Sequence, residues 1–377
     1  MSRLTAKAIE LEPLRAERKS ESMSVYWESV RDQAQRLFES LSSRFYSCSC
    51  HHSHQAKLRL DGRRGYDPKN GSVCFSFLLT FEKSACGTKK YPWDWRDIEI
   101  ETTLDSNTLS TPHQQPSIVI SSTSSTSIPL CPSPSLALKI DDLCNALIQG
   151  CHSKQCLGFL DSQAWQHFVY YVQGPGATNE ISDVAPLKDV IQGNSCSMTT
   201  LEKCTLAFNL ASAVLQLCNT PWLPTTWSSK DIFMLRTMTG STLPSHFYVS
   251  QTFGSSDSKA AIAKRRRCVK NEMVFALGVA LLELSYGQPL ASQQLPEDLN
   301  ERGEADSMTG ISIATRLADR IHERVMENYA KAVLRCIRCN FDTFSCDFKD
   351  RKFSVNFYNG VVAPLKADYE YATGGRL

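Results

Sequence analysis

One short segment holds the tightest cluster of metal-type side chains in the sequence: Cys48, Cys50, His51, His52 and His54. Thiolate sulfur and imidazole nitrogen are ligands that zinc prefers, so the segment is a candidate for a zinc-binding regulator. Tetrahedral sites usually combine a Cys-x2–4-Cys pair with a second, distant pair, whereas the spacing here is Cys-x-Cys. We favour the alternative, in which a helix ends here with its thiols in the core and its histidines near the last carbonyls. We therefore predict no metal and no cofactor.

A second cysteine pair, Cys336 and Cys339, has the Cys-x-x-Cys spacing of redox and zinc motifs and could complete such a site. Val333, Leu334 and Ile337 place the pair on an apolar stripe of helical spacing, whereas a reactive pair normally opens a helix. We expect both thiols in the core. The chain has 15 cysteines, an odd number, and its start is polar rather than a signal peptide. We therefore expect reduced thiols without disulfides.

Four basic residues run from Lys264 to Arg267, and Lys270 follows them. Such a run is a candidate nuclear localisation signal or phosphate-facing patch, but short runs are more often solvated loop charges. The net charge of the 377 residues is only +2, and no aromatic residues interleave with the run, so we expect no nucleic-acid partner. No apolar stretch of about 18 residues occurs, so we expect no membrane span. We predict a cytoplasmic protein, with nuclear import through Lys264–Arg267 as the alternative.

Two tryptophans, Trp222 and Trp227, lie in a proline-rich loop after a long helical pattern, and Lys230 and Asp231 end that loop. Tryptophans in such a place can fill a gap or cap the helix, and exposed ones can anchor a partner. We favour the filling role. We interpret Lys230 and Asp231 as charges that solvate the loop rather than as an acid/base pair.

The first half of the chain predicts one amphipathic helix and several strands. Residues 1–22 are charged without a helical stripe, and we predict that they are disordered. Residues 23–47 carry apolar side chains at three- and four-residue spacing, which predicts a helix. Residues 48–173 are β-rich, with strands over 73–81, 97–100, 156–160 and 167–172. Residues 102–135 consist mainly of Ser, Thr and Pro and predict a disordered insertion.

Residues 174–377 are dominated by helical patterns. Thr199 and Glu202 have the spacing of a capping box, and the helix they open ends before Pro221. Residues 273–284 are apolar on all sides except Glu283, which predicts a buried helix. Residues 313–337 also predict a helix, broken near Asn328. Residues 355–365 predict a terminal strand or an extended tail.

This order of elements resembles the two-lobed protein kinase fold over about residues 55–345. We therefore predict an α+β chain with a small β-rich N-lobe and a helical C-lobe, in a degenerate form. Four segments resemble an uncharacterised family of filamentous-fungal proteins: CSCHHSHQAKLRL (48–60), LAFNLASAVLQL (206–217) with TPWL (220–223), FALGVALLEL (275–284) and YAKAVLRC (329–336). In that family the domain often follows an N-terminal helical domain of the prion-inhibition type, which we do not expect in these 377 residues.

The resemblance implies that the residues of phosphotransfer are missing. Kinases need a catalytic base, carboxylates for magnesium and a phosphate-binding lysine. If Asp231 matches the catalytic-loop asparagine, the base position falls on Thr226, and no Asp-Phe-Gly or glycine-rich loop is found. We therefore predict no enzyme and no catalytic residues. The prediction is a pseudokinase-like protein-interaction module with unknown protein partners, in fungal signalling or self/non-self defence. An atypical nucleotide-binding phosphotransferase that uses Lys83 and Asp231 is the alternative.

Overall fold

A computed structural model describes most of the chain in eleven segments: residues 2–46, 53–61, 72–81, 96–104, 137–149, 156–162, 164–172, 181–193, 198–237, 242–253 and 269–374. Side chains are described from Met23 onward. The helices are α1 (Ser2–Tyr46), α2 (Leu143–Gln149), α3 (Leu187–Gln192), α4 (Thr200–Leu217), α5 (Glu272–Tyr286), α6 (Thr309–Asp319), α7 (Glu327–Arg338), α8 (Arg351–Phe357) and α9 (Ala363–Ala372). The strands are β1 (His54–Arg59), β2 (Val73–Phe81), β3 (Arg96–Leu104), β4 (Cys156–Ser162), β5 (Trp165–Tyr171), β6 (Ile181–Pro186), β7 (Ile232–Thr237) and β8 (Thr242–Phe253).

All the described strands join one antiparallel sheet in the order β4-β5-β3-β2-β1-β8-β7-β6. On β1, Leu58 lies opposite Phe77 of β2 on one side and Val249 of β8 on the other. These side chains belong to the main core, whereas Leu78, the next residue on β2, belongs to a small second cluster. This alternation is expected of a strand with two distinct faces. Residue 173 is the predicted end of the β-rich part. Strands before and after it therefore form a single sheet.

The helices α1 and α4 contact the sheet and each other, and α4 also packs against α5 and α9. The predicted capping box is present, because the Thr199 hydroxyl accepts from the Glu202 amide and the Glu202 carboxylate accepts from the Thr199 amide. The helix α5 is buried along most of its length, as its uniformly apolar sequence predicts. It ends at Gly287, whose φ of +66° suits glycine.

Some predicted segments differ from the structure. The helix α1 includes the residues from Ser2 onward, whose many Ala, Leu, Glu, Lys and Arg residues favour a helix. Residues 102–104 end strand β3, and the rest of the predicted insertion lies outside the described residues. The prediction of a strand or tail over 355–365 was wrong. Phe353, Phe357, Val361 and Leu365 are buried at four-residue spacing, so α8, a π-helical turn (Tyr358–Val362) and α9 form instead.

The architecture is mixed α+β, with one antiparallel sheet and several helices. Within the described segments, no helix combines the length and the apolar character that a membrane crossing requires.

Candidate functional site

The tryptophan loop, residues 219–231, connects α4 to β7 and is part of the core. Trp222 is completely buried, and its Nε1 donates to the backbone oxygen of Ala34 on α1 at 2.8 Å. Its ring lies 5.3 Å from the rings of both Phe38 and Phe77, measured between centroids. Trp227 is buried as well. Trp222 therefore fills space between α1 and the sheet, and the burial of both tryptophans agrees with the predicted filling role.

Asp231 closes the end of the tryptophan loop. Its Oδ2 accepts from the Ser228 amide at 2.8 Å and from the Ser228 hydroxyl at 3.2 Å. Lys230 is exposed beside it, and no ion pair between the two side chains is found in the described segments. The carboxylate thus serves to hold a turn, which is a common role of aspartate in loops.

A polar cleft of about 310 Å³ lies next to the tryptophan loop. Asn219 and Thr225 of that loop line it, together with residues 269–273 at the start of α5 and residues 346–348. Asn271 connects two of these segments, because its Oδ1 accepts from the Val274 amide and its Nδ2 donates to the Cys346 backbone oxygen at 2.7 Å. The cleft therefore lies where the tryptophan loop, the start of α5 and residues 346–348 meet.

The phenylalanine loop, residues 340–350, forms another wall of this cleft. Phe341 and Phe348 are buried and pack against aromatic rings of α8. Between them Phe344 is fully exposed, at 111% of its reference area. Asp342 has a φ of +52°, an uncommon conformation for a non-glycine residue that aspartate tolerates better than most. The Thr343 hydroxyl donates to the Ser345 backbone oxygen at 2.6 Å. The loop is thus anchored at both sides of the aromatic ring that it displays.

Sequence reasoning missed Phe344. The available signal was the polar neighbourhood of that residue, since Asp342, Thr343 and Ser345 are residues that favour turns. The three phenylalanines are spaced by three and four residues, which is also the pattern of a helical stripe. The spacing therefore gave no indication that the ring of Phe344 is exposed.

Cys336 and Cys339 lie in the core at the end of α7, as predicted. Burial raises the pKa of both thiols, and the neighbouring Cys346 raises that of Cys339 further. A raised pKa keeps a thiol protonated and therefore poorly reactive near neutral pH.

His54 is the one member of the predicted metal cluster that lies within the described segments; Cys48, Cys50, His51 and His52 lie outside them. Its ring is buried and stacks on Phe45 with 4.4 Å between centroids. Its Nε2 lies 3.3 Å from the Sγ of Cys144 on α2, a contact that sequence reasoning missed. Within the described segments no group of three or more His, Cys, Asp or Glu residues could hold a metal ion.

The predicted lysine and basic run, Lys83 and Lys264–Arg267, also lie outside the described residues, so cytoplasmic or nuclear location stays a prediction. On the central strand β1 a different lysine, Lys57, is buried. Its Nζ donates to Gln55 Oε1 at 2.6 Å and to Thr80 Oγ1 at 2.8 Å. Burial lowers the pKa of Lys57 to about 8. Its polar contacts are of the kind that a buried ammonium requires.

A search of curated proteins found no match to this chain. A family model described as "Domain of unknown function (DUF7580)" matches residues 26–371, which include both aromatic loops, the cleft between them and His54. The match confirms the expected membership of an uncharacterised domain family. The chain therefore belongs to the DUF7580 family.

Proposed function

We propose that this chain is a non-catalytic protein-interaction module whose contact surface is the phenylalanine loop. The observation that carries the proposal is Phe344, a large apolar ring that is fully exposed on an anchored loop. Aromatic side chains often supply most of the binding energy of a protein interface, especially beside a pocket. The polar cleft next to the loop offers Lys270, Glu272 and Asp347 as polar contacts around such an anchor.

The proposal includes a degenerate kinase-like arrangement of two lobes. It is supported by the order of α4, the tryptophan loop and the buried helix α5. Where the resemblance places a catalytic base, the chain has Thr226, and the neighbouring Trp222 and Trp227 are used for packing. A threonine hydroxyl is a poor base at neutral pH, which favours binding over phosphotransfer.

Affinity purification with three baits tests the interaction surface. The baits are the wild-type chain, Phe344→Ala and the control Tyr371→Ala, which removes another exposed aromatic ring on α9. We expect the same proteins to be recovered with the wild type and Tyr371→Ala, and to be lost with Phe344→Ala. Equal recovery with all three baits would contradict the proposal.

The alternative of a nucleotide-binding phosphotransferase is tested by thermal unfolding with ATP and magnesium. A ligand at about 100 times its dissociation constant stabilises the folded state by roughly 2.7 kcal/mol. We expect no change in melting temperature up to millimolar ATP, because the Asp231 carboxylate already binds Ser228. A saturable shift that Asp231→Ala abolishes would favour the phosphotransferase.

Zinc binding is a second candidate, and the contact between His54 and Cys144 favours it. Zinc bonds of about 2.0–2.1 Å to nitrogen and 2.3 Å to sulfur place two tetrahedral ligands about 3.5 Å apart. The observed 3.3 Å between Nε2 and Sγ is close to that value. Cys48 and Cys50 precede His54 in the sequence and are the predicted further ligands.

Metal analysis of the purified chain by mass spectrometry tests this candidate. This candidate requires about one zinc ion per chain, lost in Cys144→Ser and in the double variant Cys48→Ser/Cys50→Ser. The control Cys346→Ser alters a cysteine of the phenylalanine loop and should retain the metal. A folded wild-type chain without zinc, even after dialysis against zinc, would contradict the zinc-binding hypothesis.

A further inference from the structure

A cavity of about 390 Å³, here called the helical cleft, shares no lining residue with the cleft between the aromatic loops. Thr200 and Lys203 from the first turn of α4 line it, with Ser285 from the last turn of α5. Cys204 of α4, residues 323–326 before α7 and Tyr329 within α7 complete the lining. The helical cleft thus collects side chains from α4, α5 and α7, and α5 packs against both of the others.

Two cations, Lys203 and Arg324, face this cavity, and neither forms an ion pair within the described segments. The Arg324 guanidinium lies over the ring of Tyr286 at 4.5 Å from its centroid, which holds the charge in place. Four other cations of the helical part do have carboxylate partners: Arg316 with Asp298, Lys331 with Glu327, Arg338 with Asp319 and Lys366 with Glu370. The helical cleft therefore has two cations in its lining that no carboxylate pairs within the described segments.

The hydroxyl groups of the cavity differ in whether they donate a hydrogen bond to a backbone oxygen. The Ser285 hydroxyl donates to the Leu282 backbone oxygen at 2.9 Å, and the Tyr329 hydroxyl donates to that of Leu281 at 2.8 Å. The Thr200 hydroxyl has no such acceptor in the described part of the chain. Thr200 is therefore a neutral donor that remains for a ligand.

Glu323 adds one negative charge to the lining, and it forms no ion pair with either cation in the residues described. Its carboxylate repels any anion that enters, so a ligand must gain enough from Lys203 and Arg324 to overcome this repulsion. Attraction by the two cations and repulsion by Glu323 both scale with the ligand charge, so a dianion gains about twice the net Coulomb energy of a carboxylate.

We propose that the helical cleft binds a phosphate monoester group, with Lys203 and Arg324 as charge partners and Thr200 as a neutral donor. Such a group carries about −1.5 to −2 charges at pH 7 and three strong acceptor oxygens. The guanidinium presents a planar fork of donors that matches phosphate oxygens, and the ammonium adds a mobile point charge. A small phosphorylated molecule and a phosphorylated side chain of a partner share this chemistry.

Titration calorimetry of the full chain at low ionic strength tests the site, with inorganic phosphate, O-phosphoserine, a phosphoserine peptide and acetate as ligands. We expect saturable binding of the phosphates and at least about tenfold weaker binding of acetate. Lys203→Met and Arg324→Met should each weaken phosphate binding about tenfold, and Glu323→Gln should strengthen it about threefold. The control Lys331→Met removes a lysine that Glu327 already pairs and should leave binding unchanged.

A peptide that binds more tightly than O-phosphoserine identifies a partner side chain as the source, and the opposite order identifies a small molecule; both support the site. Acetate binding as tight as that of phosphate would overturn the proposal. Unchanged affinity in Lys203→Met together with Glu323→Gln would also overturn it. Lys203→Met and Glu323→Gln therefore test the phosphate site even if Arg324→Met loses its packing on Tyr286 and unfolds.

Discussion

The tryptophan loop and the phenylalanine loop line the same cleft of about 310 Å³ but use their aromatic residues in opposite ways. Both tryptophans of the first loop are buried, and Trp222 is bonded to α1 through its indole nitrogen. The second loop buries Phe341 and Phe348 and leaves Phe344 in solvent. One loop is therefore an extension of the core, and the other is a support for a single exposed ring.

The difference shows that burial, rather than residue type, decides what an aromatic side chain contributes. A fully buried phenylalanine stabilises a fold by roughly 1.5–3 kcal/mol relative to an exposed one. Phe344 makes no such contribution in the isolated chain, since its ring is exposed. That free energy remains available for association with a partner.

Among the tests of this comparison, Trp222→Ala has the largest expected effect on the free energy of unfolding. Removing the indole leaves a cavity between α1 and the sheet, and such truncations cost about 3–5 kcal/mol in the free energy of unfolding. Trp222→Phe keeps most of the packing, loses the bond to the Ala34 oxygen and should cost about 1 kcal/mol. Urea denaturation measures both. Equal, small losses would mean that the tryptophan loop is not part of the core.

The two loops should also differ in how fast a cysteine in or beside each of them is alkylated. Cys218, next to the tryptophan loop, is buried, and burial raises its pKa to about 11. Cys346 of the phenylalanine loop is half-buried and lines the cleft. Each unit of raised pKa lowers the thiolate population about tenfold at neutral pH.

We expect iodoacetamide at pH 7.5 to label Cys346 at least about tenfold faster than Cys218. Peptide mass spectrometry measures both rates, and labelling in denaturant, where the rates should converge, is the control. Equal labelling in the native chain would show that the tryptophan loop opens readily.

Asp231→Ala probes the turn that ends the tryptophan loop. Loss of the contacts with Ser228 should lower the free energy of unfolding by about 1 kcal/mol. Asp231→Asn keeps an acceptor oxygen and should cost less. Urea denaturation again provides the measurement, and an unchanged midpoint in the alanine variant would show that the turn forms without its carboxylate.

The smallest effect belongs to Phe344→Ala. Because the ring is exposed, the free energy of unfolding should change by less than about 0.5 kcal/mol. Phe348→Ala is the matched variant in the same loop, and its buried ring should cost about 3–5 kcal/mol. A large loss of stability in Phe344→Ala would mean that this ring packs in solution.

The sequence predicted the elements whose signals are local. The capping box of Thr199 and Glu202 and the apolar run of α5 were sufficient for two helices. The hairpin of β7 and β8 was missed, because its partner on the sheet, β1, is far away in the sequence. Tryptophan burial could be predicted from the loop, since large apolar rings usually find a core. The exposure of Phe344 could not, because it depends on how two neighbouring rings are anchored.

The central position of β1 has a consequence for synthesis of the chain. β1 pairs with β2 near it in sequence and with β8, which is made only after more than half of the chain has left the ribosome. Until then, one edge of β1 has unpaired backbone groups that can bind another chain. Such long-range pairing slows folding and exposes intermediates to aggregation. We therefore expect the nascent chain to depend on chaperones until residues 242–253 arrive.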